Sequence, residues 1–338
     1  MTYQNLIKFT IVFALSVIIL GAYTRLVDAG LGCPDWPGCY GQIFVPSSEE
    51  EVVNKHYLEQ RPLETGKGWA EMIHRYFAGS LGILIFVITL ISWKKRIKDP
   101  NQPIWLPTTL LAVVIFQAIL GMWTVTLLLK PVVVMGHLLG GFTTIALLFL
   151  LALRVSDMSR SLTPNGFAGA ARKIRPWGMR GWGFLGLLIL VFQIALGGWT
   201  STNYAALSCP DFPTCQGLWS PETDFSEAFV MWRGLGINYE FGVLEHPARV
   251  AIHLTHRIGA IVTFLYLALF LLSLRGKGHL LSQAAVAAGI LLLVQVGLGV
   301  SNIVFQLPLF IAVAHNAVAA LLLLSLVYLN FILWRQQQ

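Results

Sequence analysis

Apolar residues in this chain come in long unbroken runs, not in the stripes or alternations of a water-soluble domain. Eight runs lie near 6–26, 71–92, 104–127, 132–153, 182–202, 248–274, 281–304 and 309–333. Each is long enough to cross a bilayer as a helix, which takes roughly 17–25 residues. Lipid offers the backbone no hydrogen-bond partners, so such runs predict helices and exclude open strands. The first run is followed by no small-residue cleavage site and passes directly into "RLVDAGLGCPDWPGC". It is therefore expected to remain as a span.

Composition sharpens this to a class. Of the 338 residues 56% are hydrophobic and only 12% charged, against roughly 25% charged in soluble domains. The expected fold is an all-α integral membrane protein with eight transmembrane helices. Fourteen of the 23 Lys and Arg fall on one side of the spans, among them Lys8, Lys94, Lys95, Arg96, Lys98, Arg154, Arg180, Arg275, Lys277 and Arg335. Only Asp99 and Asp157 join them there. By the positive-inside rule that side is cytoplasmic, with both termini inside. The net charge of +7 then reflects loop asymmetry, and nucleic acid is not an expected partner.

The chain repeats itself. "LGAYTRLVDAGLGCPDWPGC" aligns without a gap on "LGGWTSTNYAALSCPDFPTC", setting Gly21 against Gly197 and Thr24 against Thr200. "EMIHRYFAG" pairs with "HLTHRIGA", and "FQAILGMWT" with "VQVGLGVSN", which sets Gln117 against Gln295. "VVVMGHLLGGF" pairs with "FIAVAHNAVAAL". A duplicated four-helix unit is expected. Four helices is an even number, so the copies are parallel repeats about an axis along the membrane normal. The expected division is an N-terminal bundle over 1–153, a basic cytoplasmic linker over 154–181 and a C-terminal bundle over 182–338.

Candidate chemistry sits at matched positions. The second helix of each half carries His74 or His256, and the fourth carries His137 or His315. Within an up-down bundle the second and fourth helices are diagonal, so each pair is expected to face across the core, where cofactors are held. A lone membrane histidine is often a packing residue; a matched pair repeated in a duplicate is not readily explained that way. Intramembrane ionisable groups are costly and mark function, and bis-imidazole heme ligation is the chemistry that suits two facing neutral imidazoles. Arg75 and Arg257 follow their histidines and are candidate propionate partners, unless they only reach for the interface. Three positions before the histidine, Glu71 in the first half stands where His253 stands in the second. That asymmetry suggests proton handling in one half, although an acid near a helix N-terminus is also favoured by the dipole. His56, His246 and His279 are expected in loops, in solvent.

All four cysteines, Cys33, Cys39, Cys209 and Cys215, fall in the repeated loop motif. An oxidising exterior permits disulfides, and the intervening prolines favour a compact turn. Structural disulfides are favoured over redox-active thiols and over a metal site, which would more often show C-x₂-C pairs.

The eight spans, the duplication, "RLVDAGLGCPDWPGC", "EMIHR" and the four helix-borne histidines together resemble the heme A synthase family. These are membrane enzymes that oxidise a methyl group of heme O to a formyl for cytochrome oxidase, and the resemblance covers nearly the whole chain. It implies that His256 and His315 ligate a resident heme b, that His74 and His137 bind the substrate heme O, and that Glu71 is the catalytic carboxylate. It implies Cys33–Cys39 as a disulfide-capable pair near the substrate site, with Cys209 and Cys215 as counterpart. It also implies a bacterial inner membrane with the cysteine loops outside, an electron donor, and a heme O synthase as partner. Duplication favours bracing for the cysteines, since a brace is inherited by both halves whatever each does. The rival expectation is a di-heme b-type electron-transfer cytochrome, which leaves the Glu71/His253 difference unexplained. A transporter built from repeats is a third, for which the polar residues lie too far from the midplane.

Overall fold

A computed structural model describes residues 2–156 and 176–335. The central part of the expected linker lies outside the described residues. Among those described, eight helices are long and apolar enough to cross a membrane. They are α1 (Tyr3–Leu26), α2 (Thr65–Arg96), α3 (Trp105–Thr126), α4 (Pro131–Val155), α5 (Pro176–Thr202), α6 (His246–Ser273), α7 (His279–Val304) and α8 (Leu309–Arg335). There is no extended strand among them, only isolated bridges between Cys39 and Gln42 and between Cys215 and Leu218. Several helices outrun their apolar runs. α2 starts six residues early, at Thr65, because its first turns stand in the polar loop, and it ends on Lys94, Lys95 and Arg96, which suit a helix C-terminus.

The helices are built by ordinary means. Thr2 caps α1 by accepting from the Asn5 N–H, and Pro131 opens α4, where its missing N–H costs nothing. Large apolar side chains such as Val12, Ile83, Phe192 and Leu269 stay exposed along the helices, as a lipid-facing surface requires. Small and aliphatic residues pack inward. One core gathers Ile7, Ile85, Leu110, Ile145 and Leu148 from α1 to α4; another gathers Leu267, Phe270, Leu292, Leu323 and Leu326 from α6 to α8.

Within the first half α1 packs on α2, α2 on α3, α3 on α4 and α4 on α1; the same ring of contacts joins α5 to α8. The halves meet through α1, α4, α5 and α8. Left-handed backbone recurs at corresponding positions: Asp28 and Tyr204, Tyr40 and Gln216, Leu128 and Gln306, Leu129 and Leu307. Non-glycine residues rarely adopt it, so each pair marks a turn that both halves make in the same way. The connections at the disulfide end also tie the halves together. Arg61 forms a two-pronged ion pair with Glu240, at 2.5 and 2.9 Å. Arg25 donates to the Ser201 carbonyl at 2.6 Å and lies over the Tyr204 ring, whose hydroxyl donates to Asp28 at 3.0 Å.

Candidate functional site

Glu71, His74 and Arg75 occupy positions i, i+3 and i+4 of α2 and so share one face. The Glu71 carboxylate is buried and held from two sides. Arg75 Nη2 donates to Oε1 at 2.5 Å, and the backbone N–H of Cys33 donates to Oε2 at 2.9 Å. Hydrogen bonds to an ionised acceptor are the strong ones, so this carboxylate has a fixed orientation. Arg75 also donates through Nη1 to the carbonyls of Asp35, Pro37 and Gly38, at 3.0, 3.2 and 2.6 Å. One guanidinium thus pins the loop over the acid.

That loop is closed by the Cys33–Cys39 disulfide, with Cα atoms 4.8 Å apart. Asp35 shapes its interior by accepting from the N–H groups of Tyr40 and Gly41, at 2.6 and 2.9 Å. Gly32 and Gly68 let it lie on the first turns of α2. A Cβ on Gly32 would sit 2.6 Å from the Lys67 carbonyl, and one on Gly68 2.8 Å from Val45 Cγ1.

The second half repeats the frame and changes the content. Cys209–Cys215 closes the loop with Cα atoms 4.6 Å apart. Arg257 donates to the carbonyls of Thr214, Cys209 and Asp211, at 2.8, 2.9 and 2.7 Å. Asp211 accepts from Gln216 and Gly217; its carboxyl is held below the usual range by the Thr214 hydroxyl first and by those N–H groups. In place of the acid, His253 is buried with Nδ1 2.9 Å from the Ala205 carbonyl. It has no part in a charged pair with Arg257 like that of Glu71 with Arg75.

The four helix-borne histidines share one kind of seat, a glycine notch on the helix before. A Cβ on Gly21 of α1 would lie 2.9 Å from His74 Cε1, and one on Gly121 of α3 3.3 Å from His137 Cε1. Gly197 of α5 and Gly299 of α7 stand in the same relation to His256 and His315, both at 3.2 Å. His74 and His256 lie nine and ten residues into their helices, about 14 Å by the usual rise, because α2 and α6 begin earlier than their apolar runs. His74 and His137 nonetheless meet, with ring centroids 6.4 Å apart and planes at 86°. A metal–imidazole bond is about 2 Å, so the gap admits one metal ion between two ring nitrogens. Nδ1 of His74, His137 and His315 is buried without a completed hydrogen bond, and all four rings remain half-buried. These residues fit a bis-imidazole heme.

Three glutamines, one buried (Gln117) and two half-buried (Gln193 and Gln295), also reach these histidines. Gln117 donates to the His137 carbonyl at 3.1 Å, Gln193 stands 3.0 Å from His256 Nδ1, and Gln295 stands 3.3 Å from His315 Nε2. Sequence reasoning paired Gln117 with Gln295 but gave them no role, and it passed over Gln193. Their signal was the spacing of four residues before each notch glycine. Arg75 and Arg257, expected near propionates or the interface, are found on loop carbonyls. His246 and His279 are the first residues of α6 and α7, where loops were expected. His56 opens a short exposed helix, His56–Gln60.

Fold and site together define a helical membrane protein with a paired-histidine seat in each half and an acid in only one of them. Residues 4–327 match the cytochrome oxidase assembly protein family COX15-CtaA, and the chain belongs to that family. It is 46% identical to the heme A synthase of Shewanella oneidensis, over 98% of this chain and 96% of the relative. It is 27% identical to the heme A synthase of Caulobacter sp. strain K31, over 92% and 90% of the two chains. The heme A synthase of Halalkalibacterium halodurans is 24% identical, over 95% and 93%.

Proposed function

We propose that this chain is a heme A synthase, a membrane oxidoreductase that converts a methyl group of heme O to the formyl group of heme A. The observation that carries the reading within the site is the carboxylate of Glu71, fixed beside His74 by Arg75 and the Cys33 N–H, against His253 in the other half. An electron-transfer cytochrome with two equivalent hemes has no use for that difference.

The first bundle, 1–153, takes the substrate heme between His74 and His137. The second, 182–338, takes a resident heme b between His256 and His315, and the linker over 154–181 joins them on the cytoplasmic side. His256 and His315 would hold the heme b, which when bound would supply electron transfer at a potential tuned by the residues that ligate it. The protein's own residues do the rest. The histidines would orient the macrocycle, the notch glycines make room for the histidine rings, and the disulfide loop shields the seat from water. Glu71 holds a proton or an ordered water at Oε1 or Oε2 near the reacting methyl, in the manner of a positioned general acid–base. Arg257 keeps a buried Nε–H without a partner among the described residues and is the candidate for a propionate; Arg75 has spent its Nη groups on the loop and Glu71. The protein sits in a bacterial inner membrane with its disulfide loops outside, receives heme O from a heme O synthase, and draws electrons from a separate donor.

Glu71→Gln keeps shape while removing the charge. In the detergent-purified protein both hemes should remain and conversion of heme O should fall by about 10²-fold or more, the scale of a lost acid–base group. Unimpaired conversion would remove Glu71 from the chemistry.

A further inference from the structure

Arg249 lies in the first turn of α6, four residues before His253 and seven before His256, and so on the same helix face. It stands about 10 Å nearer the outer end than His256. Ala248, Val250 and Ile252 around it are almost wholly buried. This turn therefore lies within protein, and Arg249 is not a side chain reaching out to the lipid surface. Arg249 itself is half-buried, and its Nε–H is buried with no acceptor. Among the described residues its guanidinium has no hydrogen bond or ion pair. Glu245 accepts only from the Arg249 backbone N–H, at 3.2 Å. A cation in the first turn of a helix is also disfavoured by the dipole, and α6 has no acid in that turn.

The first half also has a cation at this place, but satisfies it internally. At the offset of His256 from His74, Lys67 matches Arg249 and Glu64 matches His246. Lys67 Nζ lies 2.8 Å from Glu64 Oε2, so that cation has its counter-ion three residues away. In the second half His246 stands in the place of the acid, with Nε2 2.6 Å from the Gln216 amide. Each half keeps a cation above its histidine, and only the first keeps an anion for it.

A partly desolvated guanidinium without a partner is costly, and its planar fork suits a carboxylate. A heme ligated at His256 brings two carboxylates, the propionates on one edge of its ring. Arg257 has only Nε left for them, because its Nη groups hold the carbonyls of Thr214, Cys209 and Asp211. Arg249 has its whole guanidinium to offer.

We propose that Arg249 is a binding residue for the resident heme, pairing with a propionate at the outer edge of the second-half seat. This rests on the reading that a resident heme occupies the second half. A cofactor kept through every turnover gains from a permanent ion pair, and the missing acid at His246 leaves Arg249 free to make one.

The test uses the full-length protein in detergent and reads the reduction potential and retention of the resident heme. Arg249→Gln removes a positive charge that opposes the ferric state, so the potential should fall. Retention through gel filtration should weaken by about 10-fold or more, the scale of a lost charged hydrogen bond. Arg249→Lys keeps the charge and should keep most of the potential and of the heme. His246→Glu supplies the acid that the first half has, and should move the potential in the same direction as Arg249→Gln. Unaltered potential and retention in Arg249→Gln would overturn the proposal. Equal loss of heme in Arg249→Gln and Arg249→Lys at unaltered potential would also overturn it, since packing alone would then be at work. An unaltered heme in Arg249→Gln with loss of co-purified phosphatidylglycerol would overturn it too, and would give Arg249 to a lipid phosphate. His256→Ala separates the proposal from the reading beneath it. Resident heme kept in that variant would remove the heme from the second half, whereas its loss there beside an unaltered Arg249→Gln would refute the Arg249 contact alone.

Discussion

The backbone N–H of Cys33 donates to Glu71 Oε2 at 2.9 Å, so the first disulfide loop and the first-half acid are a single unit. The second loop has the same covalent frame, but His253 bonds to Ala205 instead of to Cys209. The two disulfides are therefore equal as braces and unequal in what they hold.

Replacing either cysteine pair by serine should cost about 2 kcal/mol of stability, the chain-entropy value for so short a loop. Only Cys33→Ser with Cys39→Ser should also impair conversion of heme O, because only that loop orients Glu71. Thermal unfolding in detergent, set beside product formed per bound heme, separates the two effects. Equal loss of activity from both pairs would mean that the Cys33–Glu71 bond is incidental.

The glycine notches give a second contrast. Gly197→Val places methyl groups against His256 Cε1, which already lies 3.2 Å from a Cβ at that position. It should displace the ring and deplete the resident heme while leaving the first-half site able to bind. Gly21→Val should do the reverse, displacing His74. Heme content by species, measured on each purified variant, checks this; depletion of the same heme in both would contradict it.

Much of this architecture could be read from the chain. Length and hydropathy placed all eight spans, since lipid leaves a run of that kind one way to satisfy its backbone. The cysteine motif, the four histidines and the Glu71/His253 substitution were visible because duplication lines them up. What could not be read were contacts whose partners are fixed only by packing. Arg75 and Arg257 carry their charge in the sequence, but not the loop carbonyls that surround them. Gln193 is one glutamine in an apolar run, and only the approach of α5 to α6 puts it on His256. The early start of α2 was hidden for a simpler reason: Thr65 to Ala70 is polar and glycine-containing enough to look like loop, and only Gly68 in it is buried, under Val45 and Cys39 of the disulfide turn.

Tyr40 supplies a pH dependence at the disulfide end. Its side chain is almost wholly buried and its hydroxyl donates to the Pro62 carbonyl at 3.0 Å. Burial pushes the phenol from 10.0 up to about 12, with Arg61 pulling the other way. The folded state thus holds this proton more tightly than the unfolded chain. Its contribution is complete below pH 10 and lost as the pH climbs toward 12. Thermal stability should fall over that window as tyrosinate absorbance appears, and Tyr40→Phe should flatten the decline. An unchanged decline in Tyr40→Phe would assign it to another group.

The most direct measurement is a reduced-minus-oxidised spectrum of the purified protein, followed by extraction and separation of its hemes. Heme b together with heme O, a hydroxylated form or heme A is the expected result, since the proposed function gives the two halves different hemes. Heme b alone at two per chain would contradict it and make the protein an electron-transfer cytochrome. No heme at all would mean that the four histidines on their glycine notches serve something else.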